Sequence, residues 1–127
     1  MSRIRHAACA CGALSVRCAG EPVKVSLCHC LQCQRRTGGP FGVVAFFPRA
    51  DVRPSGEDRV YERASDSGLA VVFHFCPTCG STVWWEPARL PDLIGVAVGA
   101  FADPAFPPPT QAVFAEHRHP WVRFDVS

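Results

Sequence analysis

Long apolar runs are missing from this chain of 127 residues, and no stretch reaches the length that would cross a bilayer. Its first residues, MSRIRHAACACGAL, hold no sustained apolar core of signal-peptide length. The expectation is a soluble, cytoplasmic protein without a membrane partner. Charge of one sign is also scarce. Thirteen Lys and Arg face eleven Asp and Glu, for a net charge of +2, so there is no basic stripe of the kind that grips nucleic acid. Arg35-Arg36 is the local exception, and nucleic acid is not an expected partner. Twelve prolines and ten glycines interrupt every segment before a long amphipathic helix could form. There is no internal repeat. The length suits one domain with a modest core, residues 1–127.

What remains is strand-like. Runs rich in β-branched and aromatic residues recur over 13–17, 23–27, 42–47, 59–63, 69–75, 82–85, 93–98 and 111–115, which predicts a mainly β, antiparallel domain. One segment, Cys28 to Arg36, suits a helical turn that Thr37-Gly38-Gly39-Pro40 would stop, with Cys30 and Cys33 on one side at i and i+3. Pro107-Pro108-Pro109 reads as a stiff exposed connector.

The eight cysteines carry the chemistry. Seven fall into clusters with gaps of one or two residues: Cys9-x-Cys11, Cys28-x-Cys30-x-x-Cys33 and Cys76-x-x-Cys79. Such gaps let one metal ion take two or three thiolates from one loop. A disulfide scaffold is the alternative on number alone. It is opposed by the missing export signal, by a composition that is 48% hydrophobic, and by gaps too short for easy pairing within a cluster.

Cys9, Cys11, Cys76 and Cys79 supply four thiolates, enough to close a tetrahedral site that is structural because no position stays open. Gly12 and Gly80 each follow a pair's second cysteine and suit a turn that aims amides at the sulfurs. The competing reading of Cys76-x-x-Cys79 is a redox pair, which lacks its βαβ context here. Cys28, Cys30 and Cys33 supply only three, so a metal there would keep a position for water or substrate. His29 could be a fourth ligand, but it lies between two cysteines and is expected to point away. Cys28 or Cys30 could instead be a buried small hydrophobe.

Taken together, Cys9-x-Cys11-Gly12, CHCLQCQRRTGG over 28–39, FCPTCGS over 75–81 and a C-terminal stretch ending near Trp121 resemble the glutathione-dependent formaldehyde-activating enzyme family, the CENP-V/GFA domain family. The resemblance implies a β-tent of small antiparallel sheets organised around a structural zinc, with little helix. It implies two Zn2+ per chain: Cys9, Cys11, Cys76 and Cys79 match the structural ligands, and Cys28, Cys30 and Cys33 the catalytic ones. It implies a carbon-sulfur lyase that joins glutathione and formaldehyde into S-(hydroxymethyl)glutathione, with a small-molecule thiol such as glutathione or its adduct as partner.

Substrate binding is expected next to the last ligand. Arg35 and Arg36 could hold a carboxylate bidentately, or be a solvated pair. Thr37-Gly38-Gly39 could offer amides to an anion, or be a tight turn. Elsewhere, Cys18 is expected to fill a core position. His117 and His119 are candidate pocket-wall groups. Trp84, Trp85, Trp121, Phe41, Phe46 and Phe47 are expected in packing, and His74 should face opposite to Phe73 and Phe75, toward solvent. Two other functions compete: a non-catalytic zinc-binding interaction module whose second site a histidine closes, and a redox sensor that releases zinc when Cys28, Cys30 and Cys33 are oxidised.

Overall fold

The computed structural model describes residues 3–124. Strands β1 (Ile4–Ala8), β2 (Ser15–Ala19) and β5 (Val52–Ser55) form a three-stranded antiparallel sheet in the order β1-β2-β5. A larger sheet holds β3 (Lys24–Cys28), β4 (Gly42–Pro48), β6 (Arg59–Ala64), β7 (Ala70–Phe75), β8 (Thr82–Pro87), β9 (Leu93–Ala97) and β10 (Gln111–Val113), ordered β10-β3-β4-β9-β8-β7-β6. Among the described residues, helix is confined to α1 (Leu31–Thr37) and short 3-10 turns. The mainly β expectation holds.

Alternation sorts the large sheet into two faces. Ala45 and Phe47 of β4, Val83 of β8 and Ile94 and Val96 of β9 are buried, and with Val16 and Cys18 of β2 they form the main core. Cys18 is thus a core residue, as its apolar neighbours predict. On the opposite face the cross-strand partners Ser26 and Val44, Lys24 and Phe46, and Phe73 and Trp85 look the other way and build the wall of a cavity. A period of two therefore separates packing from site along each strand.

Two strands and one pairing depart from the sequence reading. In β1, Arg5 takes an inward position that an apolar residue would normally mark; its guanidinium bonds the Glu21 carboxylate and lies 5.1 Å from the Phe106 ring centroid. β5 contains Pro54, which a strand tolerates at an edge, and β5 is an edge. β10 pairs parallel with β3, not antiparallel, because the chain returns to it from β9 through the turn Val98–Phe101 and the proline connector.

His74 faces away from Phe73 as expected, yet it is buried, not solvated. Its ring stacks on Trp84 at 3.6 Å, and its two nitrogens reach Asp58 Oδ2 at 2.6 Å and Glu86 Oε2 at 2.7 Å. Glu86 also accepts from Arg49 Nη1 at 3.0 Å. Burial pushes the Glu86 carboxyl up, but the bonds from His74 and Arg49 outweigh it and hold the group below its ordinary value. Because this network ties the segment before β6 to β7 and β8, His74→Ala is expected to cost about 2 kcal/mol, read from urea unfolding.

Candidate metal centres and the adjoining cavity

The first thiol cluster joins the two sheets. Cys9 and Cys11 sit in the turn between β1 and β2, and Cys76 and Cys79 in the turn between β7 and β8. The turns are built alike: Cys9 N–H donates to Leu14 O at 2.9 Å, Cys76 N–H to Ser81 O at 3.0 Å, and Gly12 and Gly80 take φ of 83° and 80°. The amides of Leu14 and Thr78 point at the Cys9 and Cys76 sulfurs, at 3.2 and 3.3 Å.

The four sulfurs lie within 4.8 Å of one another, with Cys9 to Cys11 at 3.7 Å and Cys11 to Cys76 at 3.6 Å. A tetrahedron of sulfurs around a metal at about 2.3 Å has an edge of about 3.8 Å, whereas a disulfide requires about 2.05 Å. All eight cysteines are free thiols, and this donor set fits a metal. The Ser81 hydroxyl and amide, with the Cys11 amide, push Cys79 down to about 5. The Ala13 amide favours the Cys11 thiolate, but the hydrogen bonds that the Cys11 thiol makes to the Cys76 and Cys9 sulfurs outweigh it and lift it to about 11.

The second cluster is assembled where β3 gives way to α1. Cys28 ends the strand, Cys30 is the helix N-cap and its Sγ accepts the Cys33 amide at 3.2 Å, and Cys33 follows in the first turn. Gly38, left-handed, closes the helix. The three sulfurs lie within 4.8 Å of one another. The Cys28 thiol donates to Cys33, the Cys30 thiol does likewise, and the Arg36 guanidinium faces the same sulfur; together they overcome burial and bring Cys33 down to about 6. The same bond, with burial, pushes Cys28 up.

No histidine joins either cluster among the described residues. His29 is buried beside Phe41, with ring centroids 6.3 Å apart, and burial first and Arg118 second lower its pKa. Gln34 Nε2 donates to His29 O at 2.9 Å and His117 O at 3.0 Å, which orients its amide, so His119 Nε2–H donates to Gln34 Oε1 at 2.8 Å. These bonds fasten the C-terminal segment to α1.

The three thiols open into a cavity of about 310 Å3 on the second face of the large sheet. Val44, Phe46, Phe73 and Trp85 give it an apolar floor, while Lys24, Arg36, Arg63 and Arg89 outnumber Asp66 among its charged residues. Trp85 lies over Gly95, where an added Cβ would sit 2.5 Å from the indole nitrogen, and Arg36 Cζ lies 4.5 Å from the Trp85 ring. Gly95→Ala is therefore expected to displace Trp85 and then Arg36, costing about 1–3 kcal/mol in denaturant unfolding.

Arg36 lines this cavity, but Arg35, Gly38 and Gly39 do not; they border a separate depression with His119 and Trp121. The Gly38 amide donates to Gln34 O at 2.8 Å and the Gly39 amide to Thr37 Oγ1 at 3.1 Å, so both are engaged within the turn. Trp84 and Trp85 are buried, whereas Trp121 is 70% exposed. Lys24, Arg63, Asp66 and Arg89 escaped the sequence reading. Lys24 was detectable, since it shares the face of Cys28 at i−4 on a strand. The others come from strands and turns distant in sequence and carry no local signal.

A mainly β protein with four thiols gathered where two turns of its two sheets meet, and three more thiols in a charged cavity, is by class a cysteine-rich protein with two candidate metal sites. The model of the glutathione-dependent formaldehyde-activating enzyme family matches residues 4–117, and the chain belongs to that family. A Halomonas elongata protein provisionally named as a glutathione-dependent formaldehyde-activating enzyme is 27% identical over 124 residues, covering 92% of this chain and 78% of its own. A crystal structure of a Rhodobacter sphaeroides protein shares the fold, with a TM-score of 0.59 at 24% identity, covering 75% of this chain and 85% of that one.

Proposed function

We propose that this chain is a cytoplasmic, zinc-dependent carbon-sulfur lyase of the S-(hydroxymethyl)glutathione synthase type, acting reversibly on glutathione and formaldehyde. The observation that carries the reading is a cluster of three thiols, joined by no fourth His, Cys, Asp or Glu among the described residues, at the wall of a cationic cavity in a member of this family. A single domain, residues 1–127, would hold two zinc ions, one on Cys9, Cys11, Cys76 and Cys79 and one on Cys28, Cys30 and Cys33.

Zinc with three thiolate ligands would supply a fourth position and favour the ionised form of a thiol placed there. The chain's own residues do the rest. Cys28, Cys30 and Cys33 would hold the ion, and Arg36 would offset their negative charge from beside Cys33. Lys24 and Arg89 draw an acidic thiol toward the cavity. Phe46, Phe73 and Trp85 exclude water from the apolar floor, which strengthens each charge interaction there. In the forward reaction the thiol gives up its proton, its sulfur forms a bond to the formaldehyde carbon, and the carbonyl π pair moves to oxygen, which takes up a proton. The reverse reaction breaks the same bond. Exchange spectroscopy with 13C-formaldehyde and glutathione tests this: protein should speed interconversion with the adduct, and a rate equal to that without protein would overturn the assignment.

A further inference from the structure

We propose that Ser26 is a catalytic residue whose hydroxyl donates a hydrogen bond to the aldehyde oxygen as the carbon-sulfur bond forms, and that Gln111 is its positioning residue. The inference rests on the lyase reading of the thiol cavity. Lys24, Ser26 and Cys28 take alternate places on β3 and all three line that cavity, whereas Val25 and Leu27 between them do not. One face of one strand thus carries a cation, a hydroxyl and a cluster thiol in a row.

Ser26 is 4% exposed, and a hydroxyl so buried normally finds a partner for its hydrogen as well as for its lone pairs. This one does not. Gln111 Nε2 donates to Ser26 Oγ at 3.0 Å, and among the described residues no protein group accepts the hydroxyl hydrogen. The parallel seating of β10 creates the contact, because Gln111 is the register partner of Ser26. Backbone bonds on either side hold that register: Thr110 N–H donates to Val25 O and His29 N–H to Val113 O, both at 3.0 Å. An amide that fills a lone pair of Ser26 Oγ leaves the O–H for a ligand in the cavity.

The reaction needs such a donor. As the sulfur bonds to the aldehyde carbon, the carbonyl π pair becomes an alkoxide; water supplies the proton that the oxygen takes up and receives the one that the thiol gave up. Alternate residues of a strand stand about 6.8 Å apart, so an aldehyde attacked beside Cys28 lies within reach of the Ser26 hydroxyl. A hydrogen bond to that oxygen strengthens as charge develops, which lowers the barrier without tightening the hold on the thiol. Lys24, next in the row, favours the same movement of negative charge away from the cluster.

Exchange rates at saturating substrate, glutathione affinity by calorimetry, and melting test this in Ser26→Ala, Ser26→Thr, Gln111→Leu and Gln111→Glu. Ser26→Ala should lose about 100-fold in rate, as removal of an oxyanion donor does, with glutathione affinity and melting kept. Ser26→Thr retains a hydroxyl and should recover most of the rate. Gln111→Glu should be as slow as Ser26→Ala, because a carboxylate accepts the Ser26 hydrogen; Gln111→Leu leaves the hydroxyl free but unsteered and should fall between it and wild type. A merely structural pair predicts the opposite order, since Glu keeps the bond between β10 and β3 and Leu breaks it. That order decides the matter even if Ser26→Ala melts early. A Ser26→Ala rate equal to wild type, a parallel loss of rate and glutathione affinity, or Gln111→Glu faster than Gln111→Leu overturns the inference, while accelerated exchange in wild type leaves the lyase reading standing. Wild-type exchange no faster than that without protein overturns both.

Discussion

Cys76→Ser is expected to unfold the chain, with loss of the cooperative melting transition and of one metal equivalent per chain. Cys76 is fully buried, and its sulfur accepts the amides of Thr78 and Cys79 while standing 3.6 Å from Cys11 Sγ. A structural zinc contributes roughly 10–16 kcal/mol of apparent binding free energy, as large as the roughly 5–15 kcal/mol that separates folded from unfolded domains. Since this cluster joins the β1–β2 turn to the β7–β8 turn, its loss frees the small sheet from the large one. Circular dichroism melting with metal analysis reads the result. A variant that melts within a few degrees of wild type would show that the clip is not what holds the sheets together.

Cys30→Ser separates chemistry from folding. Cys30 is the N-cap of α1 and accepts the Cys33 amide through its side chain. Serine is a preferred N-cap, so the helix keeps its first turn while the cluster loses a thiolate. The variant should melt near wild type, carry one metal instead of two, and lose more than about 100-fold in adduct formation, above the range typical when only a partner of a metal ligand is removed. Retained activity would mean that the three-thiol cluster is not the reacting centre.

The architecture was legible wherever burial is one-sided. In β2 and β4 the apolar residues keep a period of two or a continuous run, so their existence followed from composition alone. β1 and β5 were hidden for physical reasons: a buried arginine in one, satisfied by a carboxylate from a distant turn, and a proline in the other, harmless at an edge. The parallel seating of β10 depends on the route of the chain after β9, which no local pattern encodes.

The site divides in the same way. Ligand clusters were readable because sequence spacing alone brings Cys28, Cys30 and Cys33 together, and pairs Cys9 with Cys11 and Cys76 with Cys79. That the two pairs meet is a tertiary fact, inferred from the count of thiolates needed to close a site and seen in the 3.6 Å between the Cys11 and Cys76 sulfurs. Arg36 adjoins a ligand and was found; Arg63 and Arg89 reach the cavity only once the sheet is formed. His74 was misjudged because strand alternation tells which face a side chain takes but not what covers it, and here Asp58, Glu86 and Trp84 do.

Native mass spectrometry of the protein purified under reducing conditions, with and without glutathione, tests the central claim most directly. The account predicts two zinc ions per chain and a glutathione adduct that disappears in Cys30→Ser together with one zinc. Two zinc ions in Cys30→Ser with the adduct intact, or metal-free chains cross-linked by disulfides, would contradict it.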